Sequence, residues 1–447
     1  MGSLVTAASP YPPRTDRTLL LLTALALAAR VAYLLLEPRC ALTGDEPSWI
    51  ALGTQQLGRP HRGLDPLRNG LIFYPPVYPY FIALVSRATG SLQAVLWLQA
   101  VLGALLVPAV GRAGTLAFGR RAGLLAAAFT ACYPELLWYP AHYWSETVYL
   151  LLLWWAIERS LAADAARSAR IAAAAGVLWG LATLTRELSL YLLPLVALWL
   201  ARDRLRPSLG RAAVLVLAAA LTIAPWTLRN ALAFHAFIPV STMGGLNLWQ
   251  GNTTLTHLEI YERLASRGGP VEQDRYCRQL AWQTIAARQP RWLLEKLGEQ
   301  MPEFWKAGAE VLDHLVGRGA CGPLSTGRLV AVEAAFVAPY LAVLGLALVG
   351  LVRLRAGASA WLLLLLLAAY NGAHVVAYAT TRFRLPVLPV VFLLAAAALV
   401  GAPDGIARPL RGWRLALLVA LCAVLAATLA PGLPELASWR LLVGRMG

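Results

Sequence analysis

Two adjacent carboxylates, Asp45 and Glu46, follow the first long apolar stretch of the chain. Acidic side chains often begin a helix, where they accept hydrogen bonds from free backbone N–H groups and suit the helix dipole. That interpretation explains one carboxylate, but it does not require two of them beside an apolar segment. A carboxylate that is partly shielded from water can also act as a general base, because burial and neighbouring charges set its pKa. The pair therefore predicts proton-transfer chemistry close to a membrane.

A second group of charged residues stands at the ends of later apolar stretches. The acid Glu146 opens one of them, and ionisable groups in such places usually face a cavity or a partner. The arginines with this placement are Arg186, Arg229, Arg382 and Arg384. A single one is explained by snorkelling to the interface or by pairing with an acid. Several of them around shared acids predict an anion site, and guanidinium suits phosphate because its planar donors bind two oxygens at once.

Three stretches rich in aromatic or amide side chains accompany these charges. The segment "LIFYPPVYPYFIAL" holds Tyr74 and Tyr78, and its double proline excludes a continuous helix. His142 lies among aromatic residues that an interfacial belt explains without any function. The segment "VSTMGGLNLWQGN" predicts a tight loop, in which a glycine pair allows close backbone approach and Asn247 offers an amide. These stretches are either stiff structural loops or walls of a substrate cavity.

The overall composition indicates what kind of scaffold positions these residues. Of 447 residues, 59% are hydrophobic and 14% are charged, and the mean hydropathy is +0.60. A soluble domain carries roughly 25% charged residues, so this composition predicts an all-α polytopic membrane protein. The net charge of +16 comes from short arginine clusters between apolar runs. That distribution argues against a nucleic-acid partner, which requires a continuous basic surface.

Apolar runs of about 20 residues are long enough to span a bilayer. Eleven candidate runs, three of them short, lie at 18–37, 91–111, 121–139, 144–158, 171–185, 187–201, 211–229, 328–352, 358–379, 384–402 and 412–430. The two runs joined at Thr185-Arg186-Glu187 are either two spans or one broken hairpin. With the N-terminus inside, every short arginine-rich loop falls on the inner side, as the positive-inside rule requires.

This topology predicts two long outward loops, 38–90 and 230–326, within one integrated domain that covers residues 1–447. The second loop contains a helical pattern near 271–287 and an amphipathic one near 291–306. The tryptophans and lysines of the amphipathic segment suit a helix that lies along the membrane surface.

Neither the cysteines nor the acids define a metal site. The five cysteines lack metal-ligand spacing, and Cys277 and Cys321, both in the second outward loop, form either a disulfide or two free thiols. Asp45 and Glu46 carry hard oxygen ligands that a divalent metal accepts, but two adjacent acids alone do not define a site.

Six motifs, taken in chain order, resemble the polyprenyl-phosphate-dependent glycosyltransferases of the GT-C fold. The relevant families are the protein mannosyltransferases (glycosyltransferase family 39) and the aminoarabinose transferase of lipid A. The likeness spans most of the chain and rests on "TGDEPSWIALG", "YPPVYPYF", "YWSET", "GLATLTRE", "PWTLRN" with "VSTMGGLNLWQGN", and "RFRLPVLP". The six motifs together are specific for the superfamily and do not single out one member.

The resemblance implies a GT-C fold of about eleven transmembrane helices, with outward loops that carry short interfacial helices. It makes Asp45 the general base and Glu46 its companion acid, and Glu146 matches the acid that opens a later helix. The family normally has histidine or lysine before the double proline, where this chain has Tyr74. Tyr74 can donate a hydrogen bond to phosphate but brings no charge, so the arginines must neutralise more of it. The lack of a large soluble appendage favours a compact bacterial enzyme.

The expected reaction is an inverting transfer of a hexosyl or pentosyl group from a polyprenyl-phosphate-linked donor to an acceptor hydroxyl. It would take place on the outer, periplasmic face of the bacterial inner membrane. Asp45 would accept the hydroxyl proton. The departing phosphate would meet Arg229, Arg382 or Arg384, with Arg186 a weaker candidate. The implied partners are the bilayer, the lipid-linked sugar and a glycan, lipid or protein acceptor.

Two other functions are compatible with the same residues. A lipid or lipid-linked-sugar transporter (a flippase) also places charges in a membrane cavity. It would be favoured by inverted halves with discontinuous helices, and the sequence shows no such matching pair. A noncatalytic assembly partner would keep the fold without the chemistry, and the intact acidic pair argues against it.

Overall fold

A computed structural model describes residues 16–36, 42, 44–58, 72–308, 311, 326–355, 357–400 and 410–429. These ranges fold into helices, and no extended strand occurs within them. The prediction of an all-α protein is therefore confirmed for the described part of the chain. Cys277 is a buried free thiol, which agrees with the free-thiol alternative for this residue, and Cys321 lies outside these ranges.

The helices follow one another with short connections. In chain order they begin with α1 (Arg17–Leu36), α2 (Glu46–Gly58), α3 (Val77–Thr89), α4 (Gln93–Phe118), α5 (Arg120–Cys132), α6 (Pro134–Trp138), α7 (Glu146–Ala165), α8 (Ala169–Thr183) and α9 (Leu188–Leu200). They continue with α10 (Arg206–Phe234), α11 (Met243–Gln250), α12 (His257–Ala265), α13 (Pro270–Ala287), α14 (Arg291–Trp305), α15 (Thr326–Arg353), α16 (Ala358–Val376), α17 (Leu388–Val400) and α18 (Trp413–Leu429). A 3₁₀ segment, Thr381–Val387, leads from α16 towards α17.

Six helical segments of the described chain are long and apolar enough to cross a membrane. They are α1, α4, α10, most of α15, α16, and the 3₁₀ segment together with α17. Helices α8, α9 and α18 are apolar but shorter. Each predicted apolar run coincides with a helix, although the run 121–139 divides into α5 and α6 because Tyr133 is extended and Pro134 begins a new helix. The number of eleven crossings stays a prediction.

Small residues let the helices of the bundle approach closely. A Cβ atom on Gly123 of α5 would lie 2.4 Å from the carbonyl oxygen of Gly111 on α4. A Cβ atom on Gly176 of α8 would lie 2.2 Å from the carbonyl oxygen of Leu215 on α10. Contacts of this kind suit a membrane bundle, because close backbone packing replaces the hydrophobic driving force that water would provide.

The two predicted outward loops contain helices that cover one end of the bundle. Helices α2 and α3 belong to the first loop and share an apolar cluster around Trp49 and Tyr78. Helices α11 to α14 belong to the second loop, and α11, α12 and α13 share a separate cluster around Trp249 and Cys277. The helices predicted near 271–287 and 291–306 are confirmed as α13 and α14.

Two features of this outer layer differ from the sequence-based expectation. The predicted tight loop around Gly244-Gly245 is helix α11, where a Cβ atom on Gly245 would lie 2.4 Å from the Asp274 carbonyl oxygen. The glycine pair therefore serves a helix contact with α13. In α14 the side chain of Trp292 is buried, and the exposed face carries Leu293, Leu294 and Leu297 instead. The tryptophan packs inward because its indole N–H finds a buried acceptor.

Candidate active site

Four charged side chains from four separate segments form one connected network at the covered end of the bundle. The Nη1 of Arg382 lies 2.7 Å from Oδ2 of Asp45, and its Nε lies 3.3 Å from Oε1 of Glu146. The Nη2 of Arg186 donates to the same Glu146 oxygen at 2.5 Å. The network thus runs from Asp45 through Arg382 and Glu146 to Arg186. We call these four residues the ion-pair network.

Exposure falls from Asp45 to Glu146, and Arg186 at the other end of the ion-pair network is 18% exposed. The side chain of Asp45 is 39% exposed, that of Arg382 is 18% exposed and that of Glu146 is 2% exposed. The formal charges of the two arginines and two carboxylates balance. A substrate can therefore reach Asp45 from solvent, while Glu146 holds both guanidinium groups from below.

Aromatic rings fix the two guanidinium groups without neutralising them. The guanidinium carbon of Arg382 lies 4.5 Å from the centre of the Trp144 ring and 5.3 Å from that of Phe383. The guanidinium carbon of Arg186 lies 5.5 Å from the Tyr149 ring and 5.8 Å from the Phe383 ring. Such contacts are electrostatically favourable and keep the positive charge available to a ligand.

Glu46 supports the start of α2 from within the protein. Its Oε1 accepts a hydrogen bond of 3.1 Å from the Tyr143 backbone N–H and lies 3.4 Å from Nδ1 of His142. The His142 ring lies against the Trp138 ring, with 3.9 Å between their centres. Asp45 precedes the helix, and its carbonyl accepts the Trp49 N–H at 3.0 Å. Both acids lie at the start of α2, and their carboxylates contact other segments, Asp45 at Arg382 and Glu46 at Tyr143 and His142; of the two, Asp45 is the one substantially open to solvent.

The two tyrosines of the double-proline segment have different surroundings. Tyr74 packs against Trp49 with 4.6 Å between ring centres, and burial together with the charge of Asp45 raises the pKa of its hydroxyl to about 12. Tyr74 therefore remains a neutral hydroxyl group beside Asp45 at neutral pH. Tyr78 is fully buried and donates a hydrogen bond of 2.9 Å to Oε1 of Gln99, so the structure places it in the core rather than in a cavity.

Arg384 lies behind the ion-pair network rather than in it. Its guanidinium is buried and donates to Glu135 at 3.1 Å and to the Gly308 carbonyl at 2.6 Å. A further hydrogen bond of 2.5 Å reaches the Lys306 carbonyl, just beyond the end of α14. These bonds hold the 3₁₀ segment that carries Arg382 against the outer helices. Arg384 is thus occupied by protein groups, and its predicted contact with phosphate stays a prediction.

Replacing Arg384 with methionine is expected to lower the free energy of unfolding by about 3–5 kcal/mol, because Glu135 becomes a buried carboxylate without its guanidinium. Thermal unfolding of the purified protein in detergent measures the effect. The double change Arg384→Met with Glu135→Leu should recover part of the loss, since it removes both buried charges. Arg275→Met on an exposed face of α13 is the matched control. An Arg384→Met variant as stable as that control would show that the ion pair between Arg384 and Glu135 does not stabilise the fold.

Arg229 and Asn247 stand apart from the ion-pair network. Arg229, near the end of α10, is half-buried over the rings of Trp226 and Phe234 at 4.9 and 5.3 Å. It donates to Oδ1 of the neighbouring Asn230 at 3.1 Å. Asn247 is half-buried on α11. Their roles in phosphate and substrate binding stay predictions.

The outer helices clamp the chain that leads into Arg382, a feature that the sequence did not reveal. The Asn252 amide donates to the Val376 carbonyl at 3.0 Å and accepts the Trp292 indole N–H at 2.7 Å. Gln300 accepts the Ala379 N–H at 2.9 Å. Asn252 is thus committed to structure, although it begins a glycosylation-type Asn-Thr-Thr sequence. The sequence also did not single out Trp144 and Phe383 as contacts of the arginines. Their only signal was their position inside the motifs "YWSET" and "RFRLPVLP".

Glu187 links the site to the outer layer and titrates near neutrality. It follows Arg186 directly, and its Oε2 accepts the Ser241 hydroxyl at 2.8 Å. Burial raises the pKa of its carboxyl from the usual 4.5 to about 7, although Ser241 and Arg278 oppose the shift. The negative charge of Asp274 adds to the upward shift of the Glu187 pKa.

The free energy of unfolding is expected to fall as pH rises from about 4.5 to about 7. In this pH window the folded protein binds more protons at Glu187 than the unfolded chain does. The slope of the unfolding free energy against pH is therefore negative. The loss should be on the order of 2 kcal/mol. Unfolding temperatures between pH 5 and pH 8 measure it. Glu187→Gln should remove this slope and the exposed Glu262→Gln should retain it; equal slopes in both variants would refute the assignment.

The donor set around Asp45 does not fit a metal ion. Asp45 faces Arg382, whereas Glu46 faces His142 and the Tyr143 N–H, so the two carboxylates are directed to different partners. Within the described ranges, no group of three histidine, cysteine, aspartate or glutamate residues is arranged to hold a metal. The site is therefore an arrangement of acids and guanidinium groups.

Comparison with known proteins connects this architecture to one class of membrane protein. Residues 74–228 match the family model described as dolichyl-phosphate-mannose-protein mannosyltransferase. No curated protein sequence matches the chain significantly.

Solved structures align with more of this chain than the family model does. The oligosaccharyltransferase of Archaeoglobus fulgidus, in complex with zinc and sulfate, aligns with a TM-score of 0.53 and 17% identity over 95% of this chain and 53% of its own. The same organism's AglB, with an inhibitory peptide and a dolichol-phosphate, aligns with a TM-score of 0.50 and 15% identity over 95% of this chain and 55% of its own.

ArnT from Cupriavidus metallidurans bound to undecaprenyl phosphate gives a TM-score of 0.41 and 14% identity, over 86% of this chain and 78% of its own. This chain spans about half the length of the two oligosaccharyltransferase structures. The predicted resemblance is confirmed at the level of the fold: the chain has the architecture of the GT-C glycosyltransferases.

Proposed function

We propose that this protein is an inverting membrane glycosyltransferase that moves a sugar from a polyprenyl-phosphate-linked donor to an acceptor hydroxyl. The observation that carries the proposal is the position of Asp45 at the solvent-exposed end of the ion-pair network. The match to a mannosyltransferase family model and the likeness to AglB, which is solved with a dolichol-phosphate, support the donor class. We also propose the periplasmic side of a bacterial inner membrane as its location.

The reaction requires one proton acceptor and one site for a departing phosphate. Asp45 takes the proton from the acceptor hydroxyl as that oxygen forms a bond to the anomeric carbon. The bond between the anomeric carbon and the phosphate oxygen breaks, and its electron pair leaves with the lipid phosphate. Only Asp45 of the acidic pair is open to a substrate, because Glu46 is buried against His142 and Tyr143. One available carboxylate supports a single displacement with inversion.

Arg382 is placed to stabilise negative charge first on Asp45 and then on the departing phosphate. Before transfer it contacts the carboxylate of Asp45. Protonation of Asp45 removes one negative charge there, and cleavage of the donor adds one negative charge to the lipid phosphate. The guanidinium then loses its partner at Asp45 at the moment when the phosphate becomes more negative, so it stabilises the leaving group through charge that was already in place. Glu146 retains Arg382 and Arg186 during the exchange.

We further propose that the two outward segments and the bundle act as one domain. The segment 38–90 contributes Asp45, and the segment 230–326 contributes the side chains that clamp the approach to Arg382. Residues of the bundle contribute Glu146 and Arg186. Separation of either outward segment would therefore divide the site.

The test is an assay with purified protein, a polyprenyl-phosphate-linked sugar and a candidate acceptor. The proposal expects free polyprenyl phosphate to appear in equal amount to the glycosylated product. A flippase would move the intact lipid-linked sugar across proteoliposomes without releasing polyprenyl phosphate, and that result would overturn the proposal. Mass spectrometry of envelope lipids, glycans and proteins with and without the gene identifies the acceptor to use.

A further inference from the structure

Helix α1 carries a buried guanidinium group, that of Arg30, which is 1% exposed. Its Nη1 donates to the carbonyl groups of Ala26 and Ala131 at 3.0 and 3.2 Å, and its Nη2 donates to the Thr130 carbonyl at 3.3 Å. Among the described residues, no carboxylate forms an ion pair with Arg30, and its Nε has no hydrogen-bond partner. Charged groups at membrane depth usually have a partner or a function, so the carbonyl contacts alone do not explain Arg30.

A small cavity lies beside the Nε of Arg30. Arg30 and Gly103 both line it, and a Cβ atom on Gly103 of α4 would lie 2.8 Å from this Nε and 3.0 Å from Cγ of Pro140, a third wall residue. The centre of a water molecule has about 10 Å³ available there, which is roughly the space that one buried water requires. Leucine side chains form much of the remaining wall, namely Leu106, Leu136, Leu150 and Leu385. The cavity therefore fits one small polar ligand next to Arg30.

Two polar side chains at the start of α7 line the same cavity. They are Glu146 of the ion-pair network and the neighbouring Thr147. Both guanidinium contacts of Glu146 use its Oε1, which leaves its Oε2 for another partner. The Thr147 hydroxyl is buried, and no described residue forms a hydrogen bond with it. Buried polar groups are nearly always hydrogen-bonded, because an unsatisfied one costs free energy. Three groups with unused hydrogen-bonding capacity thus line a space of the size of a water molecule.

We propose that one buried water molecule links Arg30 to Glu146, and that Arg30 is a positioning residue for the active site. The water accepts the Nε–H of Arg30, donates a hydrogen bond to Oε2 of Glu146 and shares another with the Thr147 hydroxyl. Glu146 is then held at Oε1 by Arg186 and Arg382, and at Oε2 by Arg30 through the water. This support fixes the carboxylate that orients Arg382. Its effect on turnover rests on the proposed function.

Replacing Thr147 with valine tests the water without any assay of activity, because valine keeps the shape of threonine and removes its hydroxyl. If the hydroxyl binds the water, the unfolding temperature of Thr147→Val should fall. If the hydroxyl has no partner at all, the temperature should rise, because a buried unsatisfied group has been removed. The matched control is Thr183→Val on α8, whose hydroxyl is also buried without a described partner but does not line this cavity. A rise in Thr147→Val equal to that in Thr183→Val would overturn the proposal.

Replacing Gly103 with alanine tests the positioning role without removing a charge. The added Cβ should displace Nε of Arg30 from the water, so turnover should fall on the order of 10–10²-fold with little change in the KM for the acceptor. The matched control is Gly111→Ala on the same helix, whose Cβ would lie 2.7 Å from Leu19 and 3.1 Å from Ala127, outside the cavity. The control should lose comparable stability and keep its turnover. An equal loss of turnover in both variants would overturn the positioning role.

A structure of the unaltered protein at a resolution that shows ordered water examines the site directly. Density for one water within about 3.2 Å of both Nε of Arg30 and Oε2 of Glu146 is expected. A direct contact between the two side chains, or no density between them, would overturn the proposal. If the unaltered protein transfers no sugar, the proposed function fails, whereas the unfolding temperatures of the threonine variants and the water density still decide whether this water site exists.

Discussion

Replacing Asp45 with asparagine is expected to lower the turnover of sugar transfer by about 10²–10⁴-fold, because the amide cannot accept the acceptor's proton. Asparagine has nearly the same size, and its carbonyl oxygen can still accept the hydrogen bond that Arg382 donates at 2.7 Å. The geometry of the ion-pair network should therefore persist, and binding of the donor should change little. Single-turnover measurement of product and released polyprenyl phosphate quantifies the loss.

The control for Asp45 is Glu262→Gln, which neutralises an exposed acid on outer helix α12. It should leave turnover unchanged. Glu46→Gln should have an effect of its own through weaker support of α2, and its unfolding temperature should fall as well. If the turnover of Asp45→Asn equals that of Glu262→Gln, Asp45 is not the general base. This conclusion does not depend on the result for Glu46→Gln.

Replacing Arg382 with glutamine is expected to lower turnover by about 10²–10³-fold, because the leaving phosphate loses a preset positive charge in a partly buried site. Arg382→Lys should recover only part of the activity. The arginine reaches Asp45 with Nη1 and Glu146 with Nε at the same time, and a single ammonium group does not reproduce that planar pair of contacts. Steady-state kinetics with separate variation of donor and acceptor measures both variants.

A second readout separates the phosphate role of Arg382 from a structural one. Product inhibition by polyprenyl phosphate should weaken in Arg382→Gln, while the KM for the acceptor should remain near that of the unaltered protein. Arg275→Gln, on an exposed face of α13, is the matched control and should change neither quantity. Unchanged product inhibition in Arg382→Gln would show that the phosphate binds elsewhere, with Arg229 as the next candidate.

The helices and the acidic pair were predictable because they depend on local properties of the chain. Apolar runs of membrane-spanning length coincide with helices wherever the structure describes them. The α13 and α14 segments followed from periodicity alone. Asp45 and Glu46 stood out because placing two acids beside a membrane-spanning run costs free energy, and ionisable residues in such places usually have a function.

The partners of each charged residue were not predictable from the same local properties. Arg382 and Arg384 are two residues apart, and in a 3₁₀ segment with three residues per turn their side chains leave in different directions. One reaches Asp45 and Glu146, and the other reaches Glu135 and the carbonyl groups beyond α14. In a similar way Tyr78 is fully buried against Gln99, whereas Tyr74, four residues earlier, lies near Asp45.

The sequence by itself determined that this chain is a helical membrane protein with an acid pair beside its first apolar run, because hydrophobic length and composition need no partner to have their effect. Only the tertiary structure decided which arginines meet Asp45, which acid is buried and which loop residues form helix α11. Those outcomes depend on contacts between separate segments, which are 29 residues apart for Gly245 and Asp274 and 337 residues apart for Asp45 and Arg382. Such contacts arise from how whole helices pack, and no local pattern of residues encodes them.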